Sequence, residues 1–179
     1  TVTYTEVETL DGYVLNTTPI KGKIKAGETI TLSMKNDTQK GRVKGHKDKE
    51  VYDTVASEKE GKSVYNKVPL ANVTFDQVAQ NDITRPDGEV VLKKGEIADT
   101  FTTNDNGDFE STKAFYIGAQ NHYKLVERDV PDNYRPLYDE QATFSIPYDS
   151  KNKMKVFTLE MGTLDNDLKT GTFDLEKVD

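Results

Sequence analysis

Three kinds of chemically useful side chain recur in the same order along the 179-residue sequence. They are a glutamate, an asparagine and a lysine, and the six residues are Glu6, Asn36 and Lys47, then Glu127, Asn166 and Lys177. A neutral lysine amine is a nucleophile, an amide carbon can accept it, and a carboxylic acid can move the proton between them. Such chemistry needs all three groups held in one place, so the elements that carry them decide whether it occurs.

The spacing of these residues indicates a sequence repeat. The asparagines are 166 − 36 = 130 residues apart and the lysines 177 − 47 = 130, whereas the glutamates are 127 − 6 = 121 apart. The second copy therefore holds nine more residues between its glutamate and its asparagine. The flanking residues match too, since a tyrosine follows each glutamate by seven positions (Tyr13, Tyr134) and a glycine follows each asparagine by five (Gly41, Gly171).

The repeat also predicts how the chain divides. Residues 1–40 are interpreted as the C-terminal part of a preceding repeat and residues 41–170 as a complete repeat. Residues 171–179 are interpreted as the first strand of a following repeat. Within the complete repeat, Lys47 lies near the beginning, whereas Glu127 and Asn166 lie near the end.

The elements that must position these residues are predicted to be strands, because apolar and polar residues mostly alternate. Threonine, valine and isoleucine supply 44 of the 179 residues, which is a strong β bias. Strands are predicted at 30–34, 70–75, 144–146 and 156–159, with Asp-Gly and Asn-Gly turn signals elsewhere. Only residues 73–83 could hold a short helical turn. The pattern predicts an all-β sandwich.

Composition excludes several classes of function. A net charge of −7 disfavours electrostatic binding to nucleic acid or to an anionic membrane. The lack of cysteine excludes disulfides, thiolate catalysis and cysteine-based metal sites. No apolar run approaches the ~20 residues of a transmembrane helix. The chain opens without a secretory signal, so we expect a cytosolic protein or a piece of a larger secreted one. No cofactor or metal is expected, since His46 and His122 lack the spacing of a metal site.

The motifs, taken in order, resemble the CnaB-type (SpaA-like, prealbumin-like) repeats of Gram-positive surface adhesins and pilins. The similarity spans residues 41–170 and rests on the segments QKGRVKGHK (39–47), PLANVTF (69–75), TTNDNG (102–107), YKLVE (123–127), PDNY (131–134) and DND (165–167). Asn133 stands where the repeats usually have a glycine. The resemblance implies an Ig-like β-sandwich, with parts of neighbouring repeats at both ends. In many members it also implies a spontaneous intramolecular isopeptide bond.

The resemblance assigns a role to each of three residues. Lys47 would supply the amine, Asn166 the amide carbon and Glu127 the acid that handles the proton. Burial disfavours charged forms, so a neutral lysine could attack the amide while the acid passes a proton to the leaving ammonia. The bond would close a loop of 166 − 47 = 119 residues, which stabilises by roughly 5 kcal/mol if it acts as a disulfide does. The reaction would occur once per molecule, so we expect no turnover enzyme.

Two alternatives stay open for these residues. An inward lysine beside a glutamate can be an ordinary buried ion pair without a covalent bond. Glu6 and Asn36 form a second, incomplete site, because their own lysine would precede residue 1. They are expected to stay unbonded unless the Lys177 strand, from this chain or from another copy, completes the site by strand exchange.

The sequence therefore predicts a structural stalk or adhesin repeat of a cell-wall-anchored protein, displayed outside a Gram-positive bacterium. Its partners would be neighbouring repeats of the same polypeptide. The alternative is a ligand-binding β-sandwich that recognises host protein or glycan through residues 48–67. This charged segment is expected to be a solvated loop or a protruding hairpin, with Tyr52 and Tyr65 as candidate contact residues.

Overall fold

The computed structural model describes residues 1–171. The predicted strand around Phe173 and Lys177 lies outside the described residues. The elements in chain order are β1 (Val2–Tyr4), β2 (Ile20–Gly22), β3 (Lys40–Tyr52), α1 (Thr54–Glu60), β4 (Tyr65–Pro69), β5 (Thr74–Ala79), β6 (Ile83–Thr84), β7 (Val90–Leu92), β8 (Ile97–Thr102), β9 (Asp108–Glu110), β10 (Phe115–Tyr116), β11 (Tyr123–Glu127), α2 (Asp139–Ala142), β12 (Thr143–Phe144) and β13 (Val156–Asn166).

The first large sheet is built around β3, which pairs with four strands of the described chain. β10, β9 and β4 pair antiparallel with successive parts of β3. On its other edge β3 pairs with β13, and this pairing is parallel, with Leu159 opposite Val43 and Leu164 opposite Lys47. The first strand of the predicted complete repeat therefore lies directly beside its last strand.

The second large sheet has the order β12-β11-β5-β8, and all of its pairs are antiparallel. Alternate residues of β5 (Phe75, Gln77 and Ala79) are buried, as expected for a strand with one face on a core. Glu127 ends β11 and lies opposite Phe75. This register places Glu127 on the inward face of the second sheet.

The core lies between the two sheets. Phe75 of the second sheet packs against Phe109 of the first, with ring centroids 5.2 Å apart, and Tyr123 packs against Phe115 at 4.9 Å. Burying a side chain of this size stabilises a fold by roughly 2–3 kcal/mol, so the aromatic layer holds the sheets together. The predicted all-β sandwich is confirmed.

Two predictions about this part of the chain are wrong. The strand expected at 70–75 begins only at Thr74, where β5 starts. Residues 73–83 hold no helical turn, because β5 spans most of them and needs its alternating residues for the core. A helix occurs instead at α1, where the Asp53 side chain accepts a hydrogen bond from the Ala56 N–H and Gly61 ends the helix with a φ of +66°. α1 lies between β3 and β4, so residues 48–67 form a hairpin with a helix at its tip. Neither helix of the described chain is long and apolar enough to cross a bilayer.

The N-terminal segment contains β1 paired with β2 and an isolated bridge between Tyr13 and Thr38. No strand is assigned at residues 30–34, contrary to prediction, although Ile30, Leu32 and Met34 still share a half-buried face. A strand is defined by its pairing, and the equivalent end of the complete repeat pairs with β3. Among the described residues, no strand pairs with residues 30–34 in the way that β3 pairs with β13.

Candidate functional site

Three elements from two sheets meet at one point of the sandwich interior. Lys47 lies in the middle of β3, Asn166 is the last residue of β13, and Glu127 is the last residue of β11 in the opposite sheet. Alternation along each strand turns them inward, since Val43 and Lys47 are buried on β3 as are Leu164 and Asn166 on β13. Lys47 is 0% exposed and Asn166 2%.

The carboxylate of Glu127 contacts both of the other side chains. Its Oε1 lies 3.7 Å from the Lys47 Nζ, and its side chain is only 3% exposed. Its Oε2 accepts a hydrogen bond of 2.9 Å from the Asn166 Nδ2. The structure therefore brings the three residues of the predicted set together, with the acid between the amine and the amide.

The surroundings of Lys47 act on its charge in opposite directions. Burial lowers the pKa of Lys47, whereas the carboxylates of Glu127, Asp165 and Asp48 raise it, and burial prevails. The Nζ also donates a hydrogen bond of 2.6 Å to the main-chain oxygen of Asp48. The uncharged amine, which is the nucleophilic form, is therefore more populated at a given pH here than for a lysine in water.

The amide of Asn166 is held in one orientation. Its Nδ2 donates to Glu127 and also to the main-chain oxygen of Arg135, at 2.9 Å in each case. Because both partners are acceptors, the nitrogen and not the oxygen must face them. The group that would leave as ammonia is thus the one that lies against the acid.

Two contacts hold the segments that follow β11 and β13 against β3 near this site. The Tyr134 hydroxyl donates to the main-chain oxygen of Glu50 at 2.8 Å, and the Glu50 side chain accepts from the Leu168 N–H at 3.0 Å. Sequence reasoning found Tyr134 through its fixed distance from Glu127 but missed Glu50. The same lysine strand carries it, three residues after Lys47.

Glu6 and Asn36 form a similar but less buried contact in the N-terminal segment. The Asn36 Nδ2 lies 2.8 Å from both oxygens of Glu6 and donates to the main-chain oxygen of Val14 at 3.1 Å. Val14 follows Glu6 by eight residues, as Arg135 follows Glu127. Lys177, the third member predicted for this incomplete site, lies outside the described residues.

The main chain around the two pairs is hydrogen-bonded in the same way. Three main-chain bonds recur at equal distances from the glutamate and the asparagine. In the first copy the N–H groups of Tyr13, Val14 and Gln39 donate to the main-chain oxygens of Leu10, Asp37 and Gly12, respectively. In the second copy the N–H groups of Tyr134, Arg135 and Lys169 donate to those of Pro131, Asp167 and Asn133. The sequence repeat is therefore also a structural repeat of this corner.

Tyr52 and Tyr65, the candidate ligand contacts, lie opposite each other where β3 and β4 pair. Their rings are in edge-to-face contact with centroids 5.6 Å apart, and they are 50% and 37% exposed. Each ring thus already packs against the other. This pair forms the exposed aromatic surface of the 48–67 hairpin.

No protein-family model and no curated protein sequence matches the chain. Among solved structures, the Bacillus anthracis TIE protein is similar over 93% of this chain and 24% of its own, with 20% identity and a TM-score of 0.52. The predicted resemblance to SpaA-like, CnaB-type domains is confirmed at the level of the fold. GBS52, the minor pilin of Streptococcus agalactiae, matches 78% of this chain and 49% of its own (17% identity, TM-score 0.40).

A variant of the shaft pilin SpaA from Lactobacillus rhamnosus GG matches 74% of this chain and 52% of its own, with 16% identity and a TM-score of 0.43. The chain thus spans about a quarter of the TIE protein and about half of each of the two pilin chains. The likeness to the TIE protein, at 20% identity, shows a shared fold alone, so function has to be argued from the site itself.

Proposed function

We propose that this chain is a structural repeat of a Gram-positive surface protein of the pilin or adhesin-stalk type. Its complete β-sandwich would be closed by an autocatalytic isopeptide bond between Lys47 and Asn166. The observation that carries the proposal is the position of Glu127, which contacts both reacting groups inside the sandwich.

The reaction balances without any outside reactant. The neutral Nζ of Lys47 attacks the Cγ of Asn166, and a carbon–nitrogen bond forms. Glu127 takes a proton from the attacking amine and delivers one to the Nδ2 of Asn166. The bond from Cγ to Nδ2 then breaks, ammonia leaves, and the Glu127 carboxyl returns to its starting state. Since the amide is consumed, each molecule reacts once, and the domain is a self-modifying protein and not a turnover enzyme.

The sandwich supplies what this reaction lacks in water. The paired strands β3 and β13 hold amine and amide near each other, which replaces a bimolecular encounter by an intramolecular one. Burial favours the uncharged amine and excludes water that would compete for the amide. The Glu127 Oε2 already lies at hydrogen-bond distance from the nitrogen that must be protonated to leave.

A buried ion pair between Lys47 and Glu127 is the simpler alternative. Two features favour the bond over the pair. The 3.7 Å between Nζ and Oε1 is longer than a charge-assisted hydrogen bond, which is typically about 2.8 Å. An ion pair also gives no reason for the amide nitrogen of Asn166 to lie on the same carboxylate.

The proposed setting follows from the chemistry of the cross-link. An isopeptide bond needs no oxidant and no cysteine, which suits a cysteine-free protein that is displayed on the cell wall and linked end to end with neighbouring repeats. Recognition of a host protein or glycan through residues 48–67 is the alternative function. It has the exposed Tyr52 and Tyr65 rings in its favour, but these are fewer and less enclosed than the three groups of the buried site.

Intact mass under denaturing conditions tests the proposal. The wild-type chain should weigh less than its sequence by one ammonia molecule, and peptide mapping should recover a branched peptide that joins Lys47 to Asn166. The variants Lys47→Arg and Glu127→Gln should have their full sequence masses. Lys44→Arg is the matched control, because Lys44 is an exposed residue of the same strand and pairs with Glu160. A wild-type chain with its full sequence mass would establish the ion pair instead.

A further inference from the structure

We propose that Lys67 is a positioning residue of the bond-forming site, which acts on Lys47 by neutralising Asp165 on the outer face of the first sheet. The inference rests on the proposed function, because it adds a residue to the same reaction. Lys67 contacts neither reacting group, so it governs how fast the bond forms and not which bond forms.

Two acidic residues lie on the other side of the sheet from the buried amine. Asp165 of β13 is directly opposite Asp48 of β3 in the parallel register. Asp165 follows the buried Leu164 and precedes the buried Asn166, so alternation directs its side chain to the outer face. The Lys47 Nζ donates to the main-chain oxygen of Asp48 at 2.6 Å, which holds the amine against the backbone that carries this pair. Like charges at opposite positions repel each other, so the pair needs compensating cations.

The two outer carboxylates act against the reaction. Burial lowers the pKa of Lys47, whereas the carboxylates of Glu127, Asp165 and Asp48 raise it. A raised pKa favours the ammonium form, which is not a nucleophile. Glu127 is needed to move the proton, but Asp165 and Asp48 take no part in that transfer. A cation that offsets their charge therefore leaves more of the amine ready to attack.

Each outer acid has a cation of its own. The Lys67 Nζ lies 2.6 Å from the Asp165 Oδ2, and the His46 Nε2 lies 2.9 Å from the Asp48 Oδ1. The other ring nitrogen of His46 contacts Asp108, and a histidine loses its charge as the pH rises. The hydrogen bond to Asp165 raises the pKa of Lys67, so this lysine keeps its charge. Lys67 is thus the compensating cation that persists at the pH at which the amine of Lys47 becomes neutral.

Lys67 reaches Asp165 across a whole strand. It belongs to β4 and is opposite Glu50 of β3, whereas Asp165 belongs to β13 on the other edge of β3. Paired strands are about 4.8 Å apart, so the side chain of Lys67 bridges two strand spacings, or about 10 Å. Glu50 and Asp167 also face Lys67 and raise its pKa. The Glu50 carboxylate, however, accepts a hydrogen bond from the Leu168 N–H, which leaves the ammonium of Lys67 to Asp165.

The rate of bond formation tests the role of Lys67. A chain assembled by chemical synthesis in denaturant is unreacted, and dilution at a chosen pH starts folding while intact mass follows the loss of ammonia. The Lys67 side chain is 46% exposed, so water weakens its effect. We therefore expect Lys67→Met to react about threefold more slowly than wild type near pH 7, with its pH profile moved up by about half a unit. Far-UV circular dichroism follows folding separately from bonding.

Asp165→Asn separates an electrostatic role from a structural one. Lys67→Met and Asp165→Asn break the same ion pair, so loss of structure would slow both variants alike. We expect Asp165→Asn to react faster than wild type, and the double variant to match Asp165→Asn, since Lys67 acts only through that carboxylate. Lys44→Met is the matched control and should react at the wild-type rate. Lys44 pairs with Glu160 between β3 and β13, at 2.7 Å and farther along the strands from Asn166.

The charge of Lys47 can also be measured without the reaction. In an Asn166→Ala background, which cannot form the bond, NMR of labelled lysine side chains gives the pKa of Lys47 directly. Lys67→Met should raise this pKa and Asp165→Asn should lower it, each by about half a unit.

The inference alone is overturned if wild type loses ammonia but Lys67→Met leaves both the rate and the pKa of Lys47 unchanged. It is also overturned if Asp165→Asn slows the reaction as Lys67→Met does. A wild-type chain that keeps its full mass after folding would overturn the proposed function itself, and with it any role of Lys67 in the reaction.

Discussion

The amide nitrogen of Asn166 lies 2.9 Å from the carboxylate of Glu127, although the two residues belong to opposite sheets of the sandwich. Contacts between the sheets are otherwise mostly apolar, because the core is built from aromatic and aliphatic side chains. A polar contact across such a core is costly unless every group has a partner, and here each group has one. The arrangement makes covalent closure and simple charge pairing separable by experiment.

Removal of both charged groups distinguishes these two cases. We expect the double variant Lys47→Met/Glu127→Gln to fold but to unfold at a lower temperature than wild type. Loss of the proposed 119-residue closure should lower the free energy of unfolding by roughly 5 kcal/mol, and trypsin should digest the variant faster. Thermal and denaturant unfolding measure the difference, with Glu110→Gln on the exposed face of β9 as the control. A double variant as stable as wild type would favour the ion pair, since buried pairs are often replaced by apolar residues without loss.

His46 should make the stability of the protein depend on pH. Its Nδ1 lies 2.7 Å from the Asp108 carboxylate and its Nε2 2.9 Å from that of Asp48. These carboxylates, Asp108 first, raise the pKa of His46 above its ordinary value, although burial opposes them. Since the folded pKa exceeds the unfolded one, the stabilisation is fully present below about pH 6.5 and is lost as the pH rises through the folded value.

Thermal unfolding of wild type and His46→Gln checks this expectation. The gap between their melting temperatures should be wider near pH 5.5 than near pH 8.5. His122→Gln is the control, because His122 is exposed. An equal gap at both pH values would contradict the role assigned to the two carboxylates.

Tyr134→Phe should destabilise the complete repeat by about 1 kcal/mol. The Tyr134 hydroxyl donates to the Glu50 main-chain oxygen, and its loss leaves that acceptor without this partner. Chemical denaturation measures the change. Tyr13→Phe is a matched control, since Tyr13 occupies the same corner position without a strand like β3 beside it in the described chain. Equal losses in both variants would mean that the effect does not come from the hydrogen bond to Glu50.

Gln39→Ala should loosen the connection between the N-terminal segment and the complete repeat. The Gln39 side chain is fully buried, and its amide both donates to the main-chain oxygen of Asp149 and accepts from the Asp149 N–H. Removing it leaves two main-chain groups unpaired, at a cost of about 1–3 kcal/mol. Limited proteolysis should then cut near residue 39 sooner than in wild type or in Gln141→Ala, which changes an exposed residue of α2. Unchanged cleavage would show that other contacts hold the connection.

The repeat in the sequence accounts for much of what the structure shows at the site. Fixed distances from Glu127 to Tyr134 and from Asn166 to Gly171 made the corner recognisable, because its hydrogen bonds tie residues at set offsets. The lack of a strand at 30–34 could not be predicted in this way, because a strand also needs a partner, and the local pattern does not reveal one. Asp53 and Gly61 are typical residues for the start and the end of a helix such as α1. The prediction failed because the charged composition between them is also typical of loops.

The parallel pairing of β3 and β13 has a mechanical consequence. When a parallel first and last strand are pulled from opposite ends, they slide along each other, and their ladder hydrogen bonds resist together in shear. With the proposed bond in place, a force applied at Lys40 would be carried along β3 to Lys47, through the bond to Asn166, and out at the C-terminal end of β13. The 118 residues between them, or about 400 Å of extended chain, would stay outside the path of the force. A stalk built in this way would keep its length under load, because the residues outside the path of the force would not unfold and extend.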